Sequence, residues 1–147
     1  MPTRTATRPV LVAALLVWLC AVGVATAWIG GLGSAEKSIV DPDYMWQPLA
    51  ISGGTWRVLG LVATIAAAAL TLLGFRWFKS GRLSRVWLAV MLPAGGLAAY
   101  AGFCYGVATA PVIGANIGGG LVVLGAIPFA IVMVVTSIWM TKQARAR

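Results

Sequence analysis

The chain has 147 residues, of which 61% are hydrophobic and 10% are charged, and its mean hydropathy is +0.94. Soluble domains are about 45–50% apolar and about 25% charged, and one of this length would still expose about 30% of its unfolded surface, so the composition excludes a water-soluble domain. The net charge of +8 lies at the ends of apolar segments, where membrane insertion uses it, and this argues against nucleic-acid binding.

Four apolar segments follow one another along the chain, at about residues 9–32, 56–75, 86–109 and 117–141. Each has the ~20 residues that cross a bilayer as an α-helix. Helices are expected because each one satisfies its own backbone hydrogen bonds, whereas the ten-residue alternation of barrel strands is absent. The sequence therefore predicts an all-α, polytopic integral membrane protein, with residues 1–147 forming a single four-helix transmembrane bundle.

The first segment allows two interpretations. Its basic start, an apolar core at 10–24 and the A-T-A motif at 25–27 fit a cleaved signal peptide, which would leave three helices. The apolar run continues to Gly30, which favours an uncleaved first helix. Trp18 lies in the middle of this segment, away from the interfaces where indole rings collect, and we expect it to face lipid rather than to bond another helix.

The loop at 33–55 is the outer loop of the predicted topology. Its acidic residues are Glu36, Asp41 and Asp43. These carboxylates could gather a cation, but no metal-binding loop signature accompanies them, so we interpret them as solvated turn residues. Residues 44–46, Tyr-Met-Trp, either lie in the membrane interface or form an external contact patch, and the interface is favoured.

The loop at 76–85 separates the second and third segments. Its basic residues are Arg76, Lys79, Arg82 and Arg85. Nine of the eleven Lys and Arg residues lie on this side of the segments, whereas Lys37 and Arg57 lie on the other side with all the acids. The asymmetry predicts that both termini face the cytoplasm. We interpret the four basic residues as topology anchors that also contact anionic lipid; docking of a cytoplasmic partner is the alternative.

The third segment carries small residues at four-residue intervals: Ala98, Gly102, Gly106 and Ala110. This spacing puts them on one stripe of a helix, and such stripes let helix backbones approach closely in membranes. We expect contact with another helix of the same chain, with self-association as the alternative. Pro93 here and Pro128 in the next segment are interpreted as structural kinks rather than as the lining of a substrate cavity.

The break between the third and fourth segments is placed by the run at 108–120. It contains Pro111, Asn116 and four glycines, which are turn residues more than mid-helix residues. The sequence therefore predicts a tight turn on the outer side.

Residue types that carry catalysis or bind metals are scarce. Histidine is absent and no acidic residue lies within a predicted span, which argues against proton-coupled transport. Cys20 and Cys104 lie on different helices at different depths, so we expect two unpaired, buried thiols. Hydroxyl groups within the spans are expected to bond backbone carbonyls or a neighbouring helix. No catalytic, cofactor-binding or metal site is predicted.

The leading hypothesis is a small non-enzymatic multi-pass protein that acts by contacts, as an accessory subunit of a membrane complex or an accessory factor in transfer, secretion or immunity. The expected partners are the lipid bilayer and either another membrane protein or a second copy. The alternative is a small transporter, exporter component or oligomeric pore for a neutral solute; an enzyme acting on lipid has the weakest support. Arg outnumbers Lys eight to three, which fits a GC-rich bacterial genome and a bacterial inner membrane.

Overall fold

In the computed structural model, residues 8–31, 45–110 and 115–146 are described, and they form four α-helices. These are α1, Arg8–Gly31; α2, Gly53–Lys79; α3, Arg85–Ala108; and α4, Ala115–Ala146. All four are long and apolar enough to cross a membrane, which confirms the predicted all-helical class. The loop acids, Tyr44 and the turn residues 111–114 lie outside the described residues.

α2 is longer than its apolar segment at both ends. It begins at Gly53 because Ser52 caps the N-terminus, its hydroxyl oxygen accepting the Thr55 N–H at 3.2 Å. It continues through Arg76 to Lys79, since basic residues form helices readily and interact favourably with a helix C-terminus. Hydropathy therefore predicts the apolar part of this helix and not its ends.

α4 also exceeds its apolar segment, starting at Ala115 and ending at Ala146. The glycines at 118–120, which the sequence assigned to the turn region, are helical. Gly119 lies against the Met45 side chain, and a Cβ atom on Gly118 would be 3.7 Å from Val107. These glycines therefore allow close approach of neighbouring segments.

The helices pack in the order α2–α1–α3–α4. Within the described ranges, the closely packed pairs are α1 with α2, α1 with α3, and α3 with α4. α1 and α3 are parallel, and the other two pairs are antiparallel. The described helices of the predicted four-helix bundle therefore form an open row, with α2 and α4 at its two edges. Closure is unnecessary in lipid, because a bilayer solvates apolar side chains as well as another helix does.

The course of the helices gives the molecule two different ends. One end holds the start of α1, the turn at 80–84 and the end of α4, and we call it the basic end. Its basic residues that the structure describes with side chains are all exposed: Arg76, Lys79, Arg82, Arg85, Lys142 and Arg145. At the opposite end, Arg57 is the one basic residue within the described ranges. The orientation of the two ends across a membrane stays a prediction.

Candidate functional site

The α1–α3 interface contains the small-residue stripe of α3. Gly102 is buried, and the space that its Cβ would occupy is filled by the Gly23 carbonyl and the Thr26 hydroxyl. Gly106 is buried as well, and a Cβ atom there would be 3.0 Å from the Ala27 carbonyl oxygen. Backbones at this separation leave no room for a side chain, so the middle of the stripe faces α1 of the same chain.

The two alanines of the stripe lie at its margins. Ala98 is half-buried, and its carbonyl oxygen is 3.5 Å from the Cβ position of Gly23. Ala110 lies beyond the end of α3, where its N–H donates to the Val107 carbonyl at 3.3 Å. The close backbone contact is therefore made by the two glycines.

Threonine hydroxyls in the spans bond their own helix, as expected. Thr26 donates to the Val22 carbonyl at 2.9 Å or the Gly23 carbonyl at 3.0 Å, and Thr64 donates to Gly60 at 2.8 Å. In the part of the chain that the structure describes, no buried side-chain nitrogen or oxygen lacks a hydrogen-bond partner. In hydrocarbon these polar groups need hydrogen-bond partners, because an unpaired polar group costs several kcal/mol there.

Trp18 bonds another helix, so the prediction that it faces lipid was wrong. Its Nε1–H donates to Thr71 Oγ1 at 2.9 Å, which ties α1 to α2. Thr71 donates its own proton to the Ala67 carbonyl at 2.7 Å, which leaves a lone pair for the indole. The Trp18 ring fills the space beside Gly95 of α3, where a larger residue would collide with it.

A second tryptophan of α1 uses a glycine in the same way. Trp28 is half-buried, and its ring occupies the position that a side chain on Gly60 of α2 would need. Sequence analysis missed both of these contacts. Gly60 and Gly95 could have indicated these contacts, because a glycine inside a helix lowers the stability of that helix and is expected only where a neighbour needs the space.

Tyr100 joins α3 to α4. Its hydroxyl donates to the Val122 carbonyl at 2.7 Å, and its ring stacks on Phe129 with centroids 4.4 Å apart and an interplanar angle of 16°. A Cβ atom on Gly125 would lie 2.6 Å from that hydroxyl. The absence of a side chain at Gly125 therefore makes the hydrogen bond possible.

Pro93 creates an unpaired carbonyl that α4 satisfies. Proline has no N–H, so the carbonyl four residues earlier, that of Ala89, loses its helical donor. The Ser137 hydroxyl of α4 donates to this Ala89 oxygen at 3.3 Å. The contact gives Ser137 a structural role beside Pro93, and the kink itself stays a prediction.

We expect Ser137→Ala to lower the free energy of unfolding by about 1 kcal/mol, the usual size of such a bond in a membrane protein. In a Pro93→Ala background the loss is expected to be smaller, because the new backbone N–H at position 93 can donate to Ala89. A double-mutant cycle measured by reversible unfolding in detergent checks this coupling. Equal losses in both backgrounds would show that the serine does not serve the carbonyl that proline leaves free.

The segment at 45–52 lies across the C-terminal end of α3. The Trp46 N–H donates to the Ala108 carbonyl at 3.0 Å, and the Leu49 N–H donates to the Tyr105 hydroxyl at 3.2 Å. Trp56 contacts the Tyr105 ring with centroids 6.2 Å apart. The Met45 and Trp46 side chains are exposed although the backbone is tied down. Their position in a membrane interface stays a prediction.

The turn at the basic end is a Schellman motif. The Gly81 N–H donates to Phe78 at 3.0 Å, and the Arg82 N–H donates to Trp77 at 2.9 Å. Gly81 has φ +72°, a left-handed conformation that glycine adopts without strain. Leu83 follows this turn and is buried, and it lines the same small cavity as Trp77.

The basic residues of this turn project into the surroundings. Arg76, Arg82 and Arg85 are exposed, and the Lys79 ammonium lies 4.7 Å from the centre of the Phe75 ring. The chain's acidic residues all lie at 36–43, so no carboxylate neutralises this cluster within the described ranges. The arrangement suits an anionic membrane surface, and the assignment of these residues to topology or lipid stays a prediction.

A cavity of about 30 Å³ lies among α1, α2 and α3, with Trp18, Trp77 and Trp87 in its wall. This is room for about one water molecule in apolar surroundings. No group of three or more metal-ligating residues occurs in the ranges 8–31, 45–110 and 115–146.

The two cysteines are free, as expected. Cys104 is half-buried, but Cys20 is exposed, so the expectation that both are buried was wrong for Cys20. A thiol behaves as a small apolar group, and lipid accommodates it as readily as a helix interface does.

Comparison with known proteins leaves the function to be inferred from the structure. No family model matches the chain, and no curated protein or solved structure matches it significantly.

Proposed function

We propose that this chain is a non-enzymatic multi-pass protein of a bacterial cell membrane, with both termini in the cytoplasm, and that it acts by lateral contact as an accessory subunit of a larger membrane complex. One observation carries the proposal. Among the four described helices, α4 packs closely only on α3, and no residue of its most apolar 18-residue window is buried.

The exposed surface of α4 is aliphatic at most positions, and one stripe of it suits a partner helix. Large aliphatic residues recur at every seventh position: Ile117, Leu124, Ile131 and Ile138. Their side chains are between 53% and 72% exposed. A seven-residue repeat keeps one stripe of a helix against a left-handed partner, which is the commonest packing of membrane helices. The pattern therefore supports a helix of another protein as the neighbour of α4.

The transporter or pore alternative has less support. It was inferred from self-association through the stripe on α3, and Gly102 and Gly106 of that stripe pack on α1. The chain's own helix thus occupies the surface that an oligomer would need.

Site-specific photocrosslinking in membranes of the native host tests the proposal. A photoreactive residue replaces Ile131 on the α4 stripe, and the matched control replaces Ile65 on α2, which is similarly exposed at 61% against 58%. We expect a discrete protein adduct from position 131 and none from position 65. Lipid adducts alone at both positions would refute lateral contact, and an adduct of twice the chain's mass would favour an oligomer over an accessory subunit.

A further inference from the structure

A cleft of about 420 Å³ opens between α3 and α4 at the basic end. Arg85, the first residue of α3, and Gln143, in the last turn of α4, line it nearest to that end. Leu88 and Leu92 continue one wall along α3, and Trp139 lies one turn deeper on α4 than Gln143. Its polar residues therefore lie at the end of the helices and its apolar residues lie deeper.

The dimensions of the cleft suit an amphiphile. Leu92 is seven residues from Arg85, which places it about 10 Å further along the helix. Leu92 and Trp139 are 59% and 61% exposed, so the deeper part of the cleft is open sideways toward lipid. A molecule that reaches both parts needs a polar group at one end and a hydrocarbon chain behind it.

The positive charge of Arg85 favours an amphiphile with an anionic head group. The guanidinium of Arg85 can form two parallel hydrogen bonds with a phosphate, and the Gln143 amide adds a donor. No Asp or Glu side chain competes for Arg85 within the described ranges, since these residue types occur in the sequence only at positions 36, 41 and 43.

We propose that this cleft binds one anionic phospholipid, with the phosphate on Arg85 and an acyl chain along Leu88, Leu92 and Trp139. Arg82 differs from Arg85 because it lies in the turn and does not line the cleft. Arg82 acts as a diffuse surface charge, whereas Arg85 belongs to a defined site. The proposal is independent of the lateral contact through α4, since the heptad stripe and the cleft use different residues.

Native mass spectrometry of the full chain in detergent tests the site, with phosphatidylglycerol and phosphatidylcholine of identical acyl chains as probes. We expect one phosphatidylglycerol to bind the wild-type chain with about tenfold preference. Arg85→Gln should remove the preference. Arg82→Gln removes the same charge outside the cleft and should retain it.

A second pair of variants tests the apolar part of the site. Trp139→Leu should weaken phosphatidylglycerol binding several-fold, whereas Trp46→Leu, which changes an exposed tryptophan at the opposite end, should leave it unchanged. Circular dichroism establishes that each variant is folded. Equal losses in Arg85→Gln and Arg82→Gln, or equal affinity of the wild type for the two lipids, would overturn the proposal and leave an acidic cytoplasmic protein as the ligand of the basic end.

Discussion

Gly102→Ala is expected to lower the free energy of unfolding by about 3 kcal/mol, although it adds a single methyl group. The space for that methyl group is occupied by the Gly23 carbonyl and the Thr26 hydroxyl of α1. A backbone carbonyl cannot rotate away as a side chain can, so α1 and α3 must separate along the interface. Reversible unfolding in mixed detergent micelles, followed by circular dichroism, measures the loss.

Gly120→Ala is the matched control for this substitution. Gly120 is also a helical glycine, but no atom lies within 4 Å of its Cβ position. Alanine stabilises a helix relative to glycine, so this variant is expected to gain up to about 1 kcal/mol. If the two variants have the same stability, the backbone contact between α1 and α3 does not hold the fold together.

The existence and approximate position of the helices follow from the sequence because hydrocarbon restricts the placement of charge so strongly. No charged residue lies between Arg85 and Lys142, and this interval contains all of α3 after its first residue and most of α4. The ends of α2 followed other rules. Ser52 and Gly81 determine where that helix begins and ends through local hydrogen bonds, to which hydropathy is insensitive.

The partners of each helix could be predicted only in part. The small-residue stripe on α3 predicted which face of that helix approaches another backbone, but it did not predict that the neighbouring helix is α1. α1 carries a complementary stripe of Gly23, Ala27 and Gly30, with spacings of four and three residues, and all three contact α3. Pairing the two stripes would have predicted the α1–α3 interface. The open order of the row depends on side-chain shapes that a single sequence does not reveal.

The error at Trp18 has a physical explanation. Trp18 lies in the middle of its span and not near an interface, and contact with lipid needs no specific partner. We therefore expected its ring to face lipid. An indole N–H in hydrocarbon requires an acceptor, however, and a threonine that already bonds its own helix retains one. Thr71 meets this requirement at the depth of Trp18, and Gly95 provides the space for the ring.

The four basic residues at 76–85 were equivalent in the sequence and are different in the structure. All four are exposed, but Arg85 alone among them lines the cleft between α3 and α4. That distinction requires the pairing of α3 with α4, since Gln143 and Trp139 are more than fifty residues away in the chain. The sequence treats the four residues as one anionic-lipid region, which stays a prediction, and it could not single out the one residue that lines a cleft.

We expect Gly60→Ala to lower the free energy of unfolding by about 2 kcal/mol, even though alanine is the better helix former. The Trp28 ring of α1 occupies the position that the new methyl group needs. The ring must leave the α1–α2 interface, and it then loses the dispersion contacts that it makes there. The measurement is the same detergent unfolding assay, with Gly54→Ala as the control, since nothing lies within 4 Å of that Cβ position in α2.

A Trp28→Leu background identifies the cause of the loss. The smaller side chain leaves room for a methyl group at position 60, so Gly60→Ala should cost at least about 1 kcal/mol less than in the wild type. At this point of the α1–α2 interface, a side chain larger than glycine at position 60 would then be tolerated only when the residue at position 28 is smaller. An undiminished cost in the Trp28→Leu background would contradict this account, because the steric conflict would then lie elsewhere in α2.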